Sequence, residues 1–170
     1  LVGQRLQQRL VNHPMFEIVA VAGSPSSAEK QLSSIPWRLD EIRPDLPELL
    51  VIDANDPNLT QHCQSLGVEV AFSGLPSSIA LSVEQVLVDG GITVYSNSSA
   101  YRRKPNIPMI IPEINPHHNY SSKHYCATNC TLIPLALPVA AIAKLSTVVS
   151  LQMRSEQALS GAGWQLLFDQ

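Results

Sequence analysis

The sequence has little of what several common protein classes are built from. Its 170 residues include only three cysteines, an odd number without regular spacing, which excludes a disulfide framework and a four-cysteine zinc site. Aromatic residues make up 5% and charged residues 15% of the chain, and no run of Lys and Arg is interleaved with aromatics. A net charge of -3 provides no field that would hold a polyanion. We therefore expect no nucleic-acid partner, and a reducing compartment such as the cytoplasm.

No apolar run is long enough to cross a membrane. The longest, residues 132–143, contains two prolines and reaches about half of the roughly 20 residues that a spanning helix needs. No signal peptide or membrane anchor is visible. Because 45% of the residues are hydrophobic, the chain can bury a core the size of one domain or slightly more. A globular protein without a membrane partner is expected.

Apolar runs and helical periodicities alternate along the chain. The predicted strands are residues 16–22, 49–52, 68–72, 92–95 and 147–153. The predicted helices are residues 1–11, 77–88 and 131–145, and residues 105–116 are predicted as proline-rich loops. Continuous apolar strands separated by helices indicate a parallel sheet covered on both faces, which is an α/β fold of the doubly wound, Rossmann-like type. We place a domain boundary near Thr128.

Cys130 is the strongest candidate for a reactive side chain. Asn129-Cys130-Thr131 lies between a loop and the predicted start of a helix, where free N–H groups and the helix dipole favour a thiolate. A lone cysteine is more often a small buried apolar residue, and we assign Cys63 and Cys126 to that class. Cys130 is kept as a candidate nucleophile.

Four segments, in the same order along the chain, resemble aspartate-semialdehyde dehydrogenases of the archaeal and fungal branch. They are Ser-Asn-Ser-Ser-Ala-Tyr-Arg at 96–102, Ile-Pro-Glu-Ile-Asn at 111–115, Asn-Cys-Thr at 129–131 and Gln-Ala-Leu-Ser-Gly-Ala-Gly at 157–163. The resemblance implies that Cys130 is the catalytic nucleophile and that Gln157, also catalytic, orients the substrate. It further implies that Arg102 holds an anionic group of the substrate and that Asn129 helps to position the nucleophile.

The resemblance also implies the domain organisation. Residues 1–128 correspond to a NAD(P)-binding domain, and residues 129–170 to the beginning of an α+β catalytic and dimerisation domain. The opening residues predict the first turn of a helix, and we expect a first strand and the phosphate-binding glycines to precede them. A doubly wound sheet that lacks its first strand has exposed strand edges. We therefore expect this polypeptide by itself to show no dehydrogenase activity, and not to assemble as its homo-oligomeric relatives do.

A cofactor site is implied by three further segments. Residues 1–5 resemble the end of the family's Gly-Ala-Thr-Gly-x-Val-Gly-Gln-Arg fingerprint, in which Gly3 is the glycine that permits close packing of helix on sheet. Residues 23–30 resemble the loop that reads the adenosine ribose and its 2′-phosphate, and residues 73–76 resemble a Ser-Ala-Leu-Pro segment on the nicotinamide side. The predicted cofactor-binding residues are Gly3, Ser24, Ser27, Lys30, Ser73, Gly74, Leu75, Pro76, Ser160 and Gly161.

Two departures from the resembling segment bear on the choice of cofactor. Ser26 and Glu29 stand where the family has an arginine and a glycine, which removes one cation and adds one anion beside the implied 2′-phosphate site. Arginine is well suited to a phosphate because its forked donors match the oxygens. NADP is the cofactor that the resemblance implies, and NAD remains the alternative.

None of the five histidines follows Cys130, where the family places its catalytic base. We interpret all five as surface or loop residues: His13, His62, His117, His118 and His124. His117 and His118 are adjacent and could bind a metal adventitiously, but no third ligand is evident, so we predict no metal site.

The function implied by the resemblance is the NADP-dependent interconversion of aspartate 4-semialdehyde plus phosphate and 4-phospho-aspartate. It proceeds through a thioester on Cys130 and belongs to the biosynthesis of lysine, threonine and methionine. Malonyl-CoA reductase shares the fold, the cysteine motif and the Gly-Ala-Gly segment and stays an alternative, whereas N-acetylglutamyl-phosphate reductase fits residues 101–102 less well. A non-catalytic nucleotide-binding module is a further alternative. A cysteine acyltransferase or hydrolase is disfavoured, because no histidine follows Cys130.

Overall fold

The computed structural model describes residues 1–116 and 121–162, in which short parallel strands alternate with helices. The helices are α1 (Val2–Leu10), α2 (Leu59–Ser65), α3 (Ser77–Asp89) and α4 (Ile133–Ala143), with 3₁₀ turns at Leu32–Ser34 and Leu159–Ala162. The strands are β1 (Val21–Gly23), β2 (Val51–Asp53), β3 (Val70–Ser73), β4 (Thr93–Ser96), β5 (Met109–Ile110) and β6 (His124–Ala127). Every pairing between these strands is parallel, which confirms the predicted α/β class.

The strands form two sheets rather than one. β1 pairs with β2, and the other four strands follow the order β3-β4-β6-β5, so β1 and β3 are edge strands in the described part of the chain. An apolar cleft of about 360 Å³ lies between them, lined by residues 16–22 on one side and 70–75 on the other. A doubly wound sheet has its first strand between two such edges. The gap confirms the expected fold, a Rossmann-like sheet without its first strand.

One face of the four-stranded sheet packs on α2 and α3. Along β4, Val94 and Ser96 are 0% and 2% exposed, whereas Tyr95 between them is 42% exposed and points to the opposite face. Val94 joins an apolar core with Leu59 of α2 and Leu87 of α3. Spacing of four residues between apolar positions 59 and 63 could have predicted α2, which is not among the predicted helices.

The opposite face of this sheet carries a row of aromatic rings. The ring centroids of Phe72 and Tyr95 are 5.6 Å apart, and those of Tyr95 and Tyr125 are 5.0 Å apart. Phe16 meets Phe72 edge-on at 5.3 Å. α1 lies over this row, and its Leu6 lines a cavity of about 430 Å³ together with the rings. Helices therefore cover both faces of the sheet, as predicted.

Several predicted element boundaries are wrong. The strand expected over 16–22 is confined to Val21–Gly23, because only these residues meet β2. The strand expected at 49–52 is shifted to Val51–Asp53, and the loops expected at 105–116 contain β5. Residues 147–153 form no strand; Val149 is 91% exposed, and no described strand pairs with this segment, so its backbone has no ladder to join.

α4 is apolar around its whole circumference, yet none of its residues is buried. Two prolines lie in it: Pro134 occupies the first turn, where its missing N–H is tolerated, and Pro138 lies in the interior. Within residues 1–116 and 121–162, no helix combines the length and apolar character that crossing a membrane requires.

Close packing of α1 on the four-stranded sheet depends on Gly74. A Cβ at Gly74 would lie 2.9 Å from Val2 Cγ1 and 3.2 Å from the backbone N of Gly3. A Cβ at Gly3 would meet nothing within 4 Å, and Gly3 lines the open cleft between the sheets. The glycine is therefore required on the strand side of this contact.

Gly74→Ala is expected to destabilise the chain by about 1–2 kcal/mol, because the helix must move away from the new methyl group. Gly3→Ala is the matched control from the other side of the contact. It should be neutral or stabilising by up to about 1 kcal/mol, since alanine is the better helix former and has room there. Urea unfolding of both variants measures the difference, and equal destabilisation would contradict the assignment to Gly74.

Candidate active site

Cys130 lies on an exposed turn between β6 and α4. The turn is closed by Asn129, whose Oδ1 accepts hydrogen bonds from Thr131 N at 2.9 Å and Thr131 Oγ1 at 2.5 Å. α4 begins only at Ile133, because Pro134 fits only in a first turn. Cys130 therefore precedes the helix, because α4 starts two residues later than predicted. The thiol is exposed, as a nucleophile must be.

Gln157 is next to Cys130 although 27 residues separate them. Its Nε2 lies 3.8 Å from Cys130 Sγ, within hydrogen-bonding range of a sulfur acceptor. Gly161 leaves room for this arrangement, since a Cβ there would lie 1.9 Å from Gln157 Nε2. Ser160 lies in the same 3₁₀ turn. The structure thus brings together both residues predicted as catalytic, while Gly163 at the end of the motif lies outside the described residues.

Arg102 is held at the carboxyl ends of two neighbouring strands. Its Nε donates to Ala127 O at 2.9 Å, at the last residue of β6, and its Nη2 donates to Asn97 O at 2.9 Å, just after β4. A guanidinium has five N–H donors, so these two bonds leave others for a carboxylate or phosphate. Ala127 is three residues before Cys130, so the arginine and the thiol belong to one stretch of the sheet edge. Arg103 is exposed, as predicted.

The predicted ribose loop forms a cluster of hydroxyl groups at the carboxyl end of β1. Ser24 Oγ lies 2.9 Å from Ser26 Oγ and 3.2 Å from Ser27 Oγ. Glu29 and Lys30 are exposed beside this cluster. The loop therefore presents hydroxyl groups and one charge of each sign to a ligand at this edge.

Glu29 has a backbone conformation that glycine adopts most easily. Its φ is 62°, in the left-handed region, and its N donates to Val51 O at 2.8 Å, which holds the turn in place. This is the position at which the resembling segment has glycine. The substitution of glycine by glutamate therefore stores backbone strain in this chain.

Glu29→Gly is expected to raise the free energy of unfolding by about 1 kcal/mol, because glycine adopts this φ without strain. Lys30→Gly is the neighbouring control, and it should lower stability by up to about 1 kcal/mol through the greater freedom of the unfolded chain. The midpoint of urea unfolding measures both. If the urea midpoint of Glu29→Gly falls, as that of Lys30→Gly is expected to do, the turn is not strained.

A buried polar cluster on α3, β4 and β6 was missed by the sequence interpretation. Glu84 is 0% exposed, and its carboxylate accepts a bond from Ser96 Oγ at 2.8 Å and contacts His124 Nε2 at 2.9 Å. Ser73 also hydrogen-bonds to it. A signal was available: Glu84 shares the helical stripe of Ala80 and Leu87, where a charge among apolar positions indicates a buried polar site.

The prediction that His124 is a surface or loop residue is wrong. It is 4% exposed, because it is the first residue of β6, which lies between β4 and β5 in the sheet. The strand β6 follows the proline-rich segment and is not among the predicted strands. His62 is exposed, with Nδ1 3.2 Å from Asp56 Oδ2, and His13 is partly exposed, with its ring 4.9 Å from that of Phe16. The remaining two histidines, His117 and His118, lie outside the described residues.

Opposing influences set the protonation of this cluster. Burial raises the pKa of the Glu84 carboxyl, but hydrogen bonds from His124, Ser73 and Ser96, with the charge of His124, outweigh it and leave the pKa below its ordinary value. Burial and the negative charge of Glu84 raise the pKa of the nearby Cys126 thiol to about 11, against a smaller opposing effect of Arg102. Burial also raises the pKa of Cys63. Cys63 and Cys126 are buried free thiols, as predicted.

The predicted site residues fall into three groups. Gly3, Ser73, Gly74 and Leu75 line the cleft between the two sheets. Pro76 caps the start of α3 directly after them. The two other groups are the hydroxyl cluster after β1, and the turn of Cys130 with Gln157 and Arg102. Among the described residues, no three His, Cys, Asp or Glu side chains come together as a metal site.

Comparison with known protein families identifies the family of this chain. A family model described as the semialdehyde dehydrogenase, NAD binding domain, matches residues 1–122. The chain belongs to the semialdehyde dehydrogenase family. Residues 1–122 therefore match a nucleotide-cofactor-binding domain, and the resemblance seen in the sequence is confirmed. The domain boundary near Thr128 stays a prediction.

Individual relatives agree with the family assignment. The aspartate-semialdehyde dehydrogenases of Archaeoglobus fulgidus and Cryptococcus neoformans are 32% and 33% identical to this chain, each over 96% of it. The alignments cover 49% and 48% of those proteins, so the chain spans about half the length of the relatives it matches. The crystal structure of the Candida albicans aspartate-semialdehyde dehydrogenase with NADP superposes with a TM-score of 0.69 at 29% identity, over 84% of this chain and 44% of that one.

Proposed function

We propose that this chain is the cofactor-binding and nucleophile-bearing half of an aspartate-semialdehyde dehydrogenase. The reaction is the NADP-dependent interconversion of aspartate 4-semialdehyde plus phosphate and 4-phospho-aspartate, in amino-acid biosynthesis. The observation that carries the proposal is the placement of Gln157 Nε2 3.8 Å from Cys130 Sγ. Relatives named for this activity, similar over 96% of the chain, support the same assignment.

Cys130 is the nucleophile in this proposal. Its thiolate attacks the aldehyde carbon, which forms a C–S bond and a thiohemiacetal. When bound, the nicotinamide would accept a hydride from the thiohemiacetal carbon, and this loss of hydride would leave a thioester on Cys130. Phosphate then attacks the thioester carbon, the C–S bond breaks, and the thiolate is regenerated with release of the acyl phosphate. The thioester suits this chemistry because it conserves the free energy of oxidation until phosphate arrives.

Gln157 and Arg102 orient the reacting groups. The Gln157 amide, directed at the sulfur, can donate to the oxygen that becomes an oxyanion when the thiolate attacks. Asn129 fixes the backbone of the Cys130 turn through its bonds to Thr131. Arg102 has donors left after its two carbonyl bonds, and a guanidinium binds a carboxylate or phosphate in a defined orientation.

The cofactor in this proposal is NADP, with NAD as the alternative. The hydroxyl cluster of Ser24, Ser26 and Ser27 after β1 fits a ribose or a phosphate, because hydroxyl groups can donate to either. Lys30 adds one cation, whereas the negative charge of the exposed Glu29 carboxylate repels a 2′-phosphate. The relative from Candida albicans was solved with NADP. We expect Glu29→Gly to tighten NADP binding more than NAD binding.

A hybrid enzyme tests the proposed function. This chain replaces the aligned half of the Archaeoglobus fulgidus relative, and reduction of NADP is followed with aspartate semialdehyde and phosphate. The proposal expects reduction that requires both substrates and is lost in Cys130→Ser. A folded hybrid that binds NADP but reduces none would contradict it. Reduction of malonyl-CoA with NADPH, in place of the aspartate reaction, would instead support the alternative substrate.

The compartment belongs to the same proposal. The three cysteines are free, two of them buried, and a reducing compartment such as the cytoplasm keeps an exposed catalytic thiol such as Cys130 active. The partners are the small-molecule substrates and the nucleotide cofactor.

A further inference from the structure

The carboxylate of Glu84 is the one acidic group that is fully buried among the described residues. Its hydrogen-bond partners in turn contact the residues that hold Arg102, the predicted substrate arginine. We propose that Glu84 is a positioning residue for Arg102, acting through two separate chains of contacts that meet at residues 101–102. The proposal deepens the proposed function, on which it rests for the role of Arg102. Glu84 itself touches neither substrate nor cofactor in this account.

The first chain of contacts passes through the serine turn after β4. Ser96 Oγ donates to Glu84 Oε1 at 2.8 Å and accepts from Ser98 N at 3.0 Å. The turn between these two serines contains Asn97, whose carbonyl oxygen accepts the bond from Arg102 Nη2 at 2.9 Å. Glu84 thus fixes the Ser96 hydroxyl, the hydroxyl fixes the turn, and the turn presents the carbonyl that holds the guanidinium.

The second chain of contacts passes through His124 and an aromatic ring. His124 Nε2 lies 2.9 Å from Glu84 Oε2, and the Tyr101 ring packs on the imidazole with 4.4 Å between centroids. Tyr101 is 5% exposed, and its hydroxyl donates to Leu81 O at 2.5 Å on the same helix as Glu84. Tyr101 directly precedes Arg102, so this chain of contacts fixes the backbone from which the arginine projects.

Burial of a carboxylate in a protein core costs free energy, because the charged group loses its hydration. It is tolerated only when hydrogen bonds replace its hydration, and apolar side chains in place of the whole polar cluster would pack at lower cost. Here the bonds come from the ends of β3 and β4 and from the start of β6, at Ser73, Ser96 and His124. The carboxylate therefore ties three strands to one helix, which an apolar side chain cannot do, and its bonds to the ends of β3 and β4 lie at the carboxyl edge of the sheet, where Arg102 is held.

Hydrogen exchange of the Arg102 Nε–H measures the positioning directly in the 170-residue chain. The signal is followed by NMR after ¹⁵N labelling of arginine and is assigned with Arg102→Lys. The bond to Ala127 O should make this exchange slow in the unsubstituted chain. Glu84→Met should accelerate it at least about tenfold, because both chains of contacts lose their anchor. Glu84→Gln should stay within about twofold, since its amide can still accept from Ser96 and donate to His124.

Two further variants separate positioning from general loss of stability. Leu87→Ala lies on the same helix in the apolar core and should cause a comparable loss of stability without changing the exchange of Arg102. Ser96→Ala removes one chain of contacts only, and gives an intermediate acceleration if Glu84→Met does not fold. Equal acceleration in Leu87→Ala and Ser96→Ala, or an unchanged rate in a folded Glu84→Met, would overturn the proposal.

Titration with inorganic phosphate tests separately the substrate role of Arg102, on which the proposed function depends. If Arg102 holds an anionic group, phosphate shifts its Nε–H signal in the unsubstituted chain and in Glu84→Gln, with about tenfold weaker binding in Glu84→Met. A signal that phosphate never shifts would contradict the substrate role of Arg102. The exchange rates without phosphate decide the positioning role of Glu84, so the two failures are distinguishable.

Discussion

In the folded chain at pH 8, iodoacetamide is expected to alkylate Cys130 at least about a hundredfold faster than Cys126. The thiolate is the reactive form, and a thiol with a pKa of about 11 is about one part in a thousand ionised at that pH. Cys126 is also 1% exposed and Cys63 7%, so the reagent reaches them only after local opening. Cys130 is exposed on its turn.

Mass spectrometry of the three cysteine peptides after timed labelling measures this ratio. Labelling in urea is the control, because all three thiols should then react at similar rates. Alkylation of Cys126 as fast as that of Cys130 in the folded chain would contradict both the burial of β6 and the selection of Cys130 as the accessible thiol.

Replacement of Glu84 by methionine is expected to lower the free energy of unfolding by about 3–5 kcal/mol, which is the usual effect of removing one member of a buried pair. His124 would lose the carboxylate 2.9 Å away, and the Ser96 hydroxyl its acceptor. Gln85→Met, one position further on the exposed side of α3, is the matched control and should change stability by no more than about 0.5 kcal/mol. Urea unfolding measures both. Equal effects at the two positions would show that the buried cluster contributes little.

Glu84 should also contribute to the acid sensitivity of the fold. Its pKa is lowered in the folded chain, so its stabilising effect is complete above the ordinary value of 4.5 and is lost as pH falls through the lowered one. We expect Glu84→Gln to be less stable than the unsubstituted chain at neutral pH, with a difference that shrinks as the solution becomes more acidic. Unfolding free energies measured between about pH 3 and 7 test the sign; a difference that grows on acidification would contradict it.

The alternation of apolar runs and helical periodicities was sufficient to predict the fold class. β3 and α3 lie within a few residues of their predicted bounds. A strand whose sheet is covered by helices on both faces must be apolar along its length, which makes it visible in the sequence. Residues 147–153 show the limit of the same pattern. Their β-branched run has the composition of a strand, but pairing requires a neighbour that local sequence does not specify.

The reactive residues of the site could be predicted from the sequence, but the buried residues that hold them in place could not. Cys130 and Gln157 belong to short motifs, and the fold places them within contact distance. Glu84 and His124 are 40 residues apart and belong to no motif, so only the packing of α3 on the sheet brings them together. Gly74 was assigned to cofactor binding, whereas its packing role follows from the approach of α1, which is a tertiary contact.

The covalent state of Cys130 during turnover tests the central claim most directly. The hybrid enzyme is supplied with aspartate semialdehyde and NADP but without phosphate, quenched in acid and digested for mass spectrometry. We predict an aspartyl thioester on the peptide that contains Cys130, removed when phosphate is added and absent from Cys130→Ser. Turnover without an adduct on Cys130, or an adduct on another residue that phosphate removes, would contradict the assignment of the nucleophile and with it the proposed function.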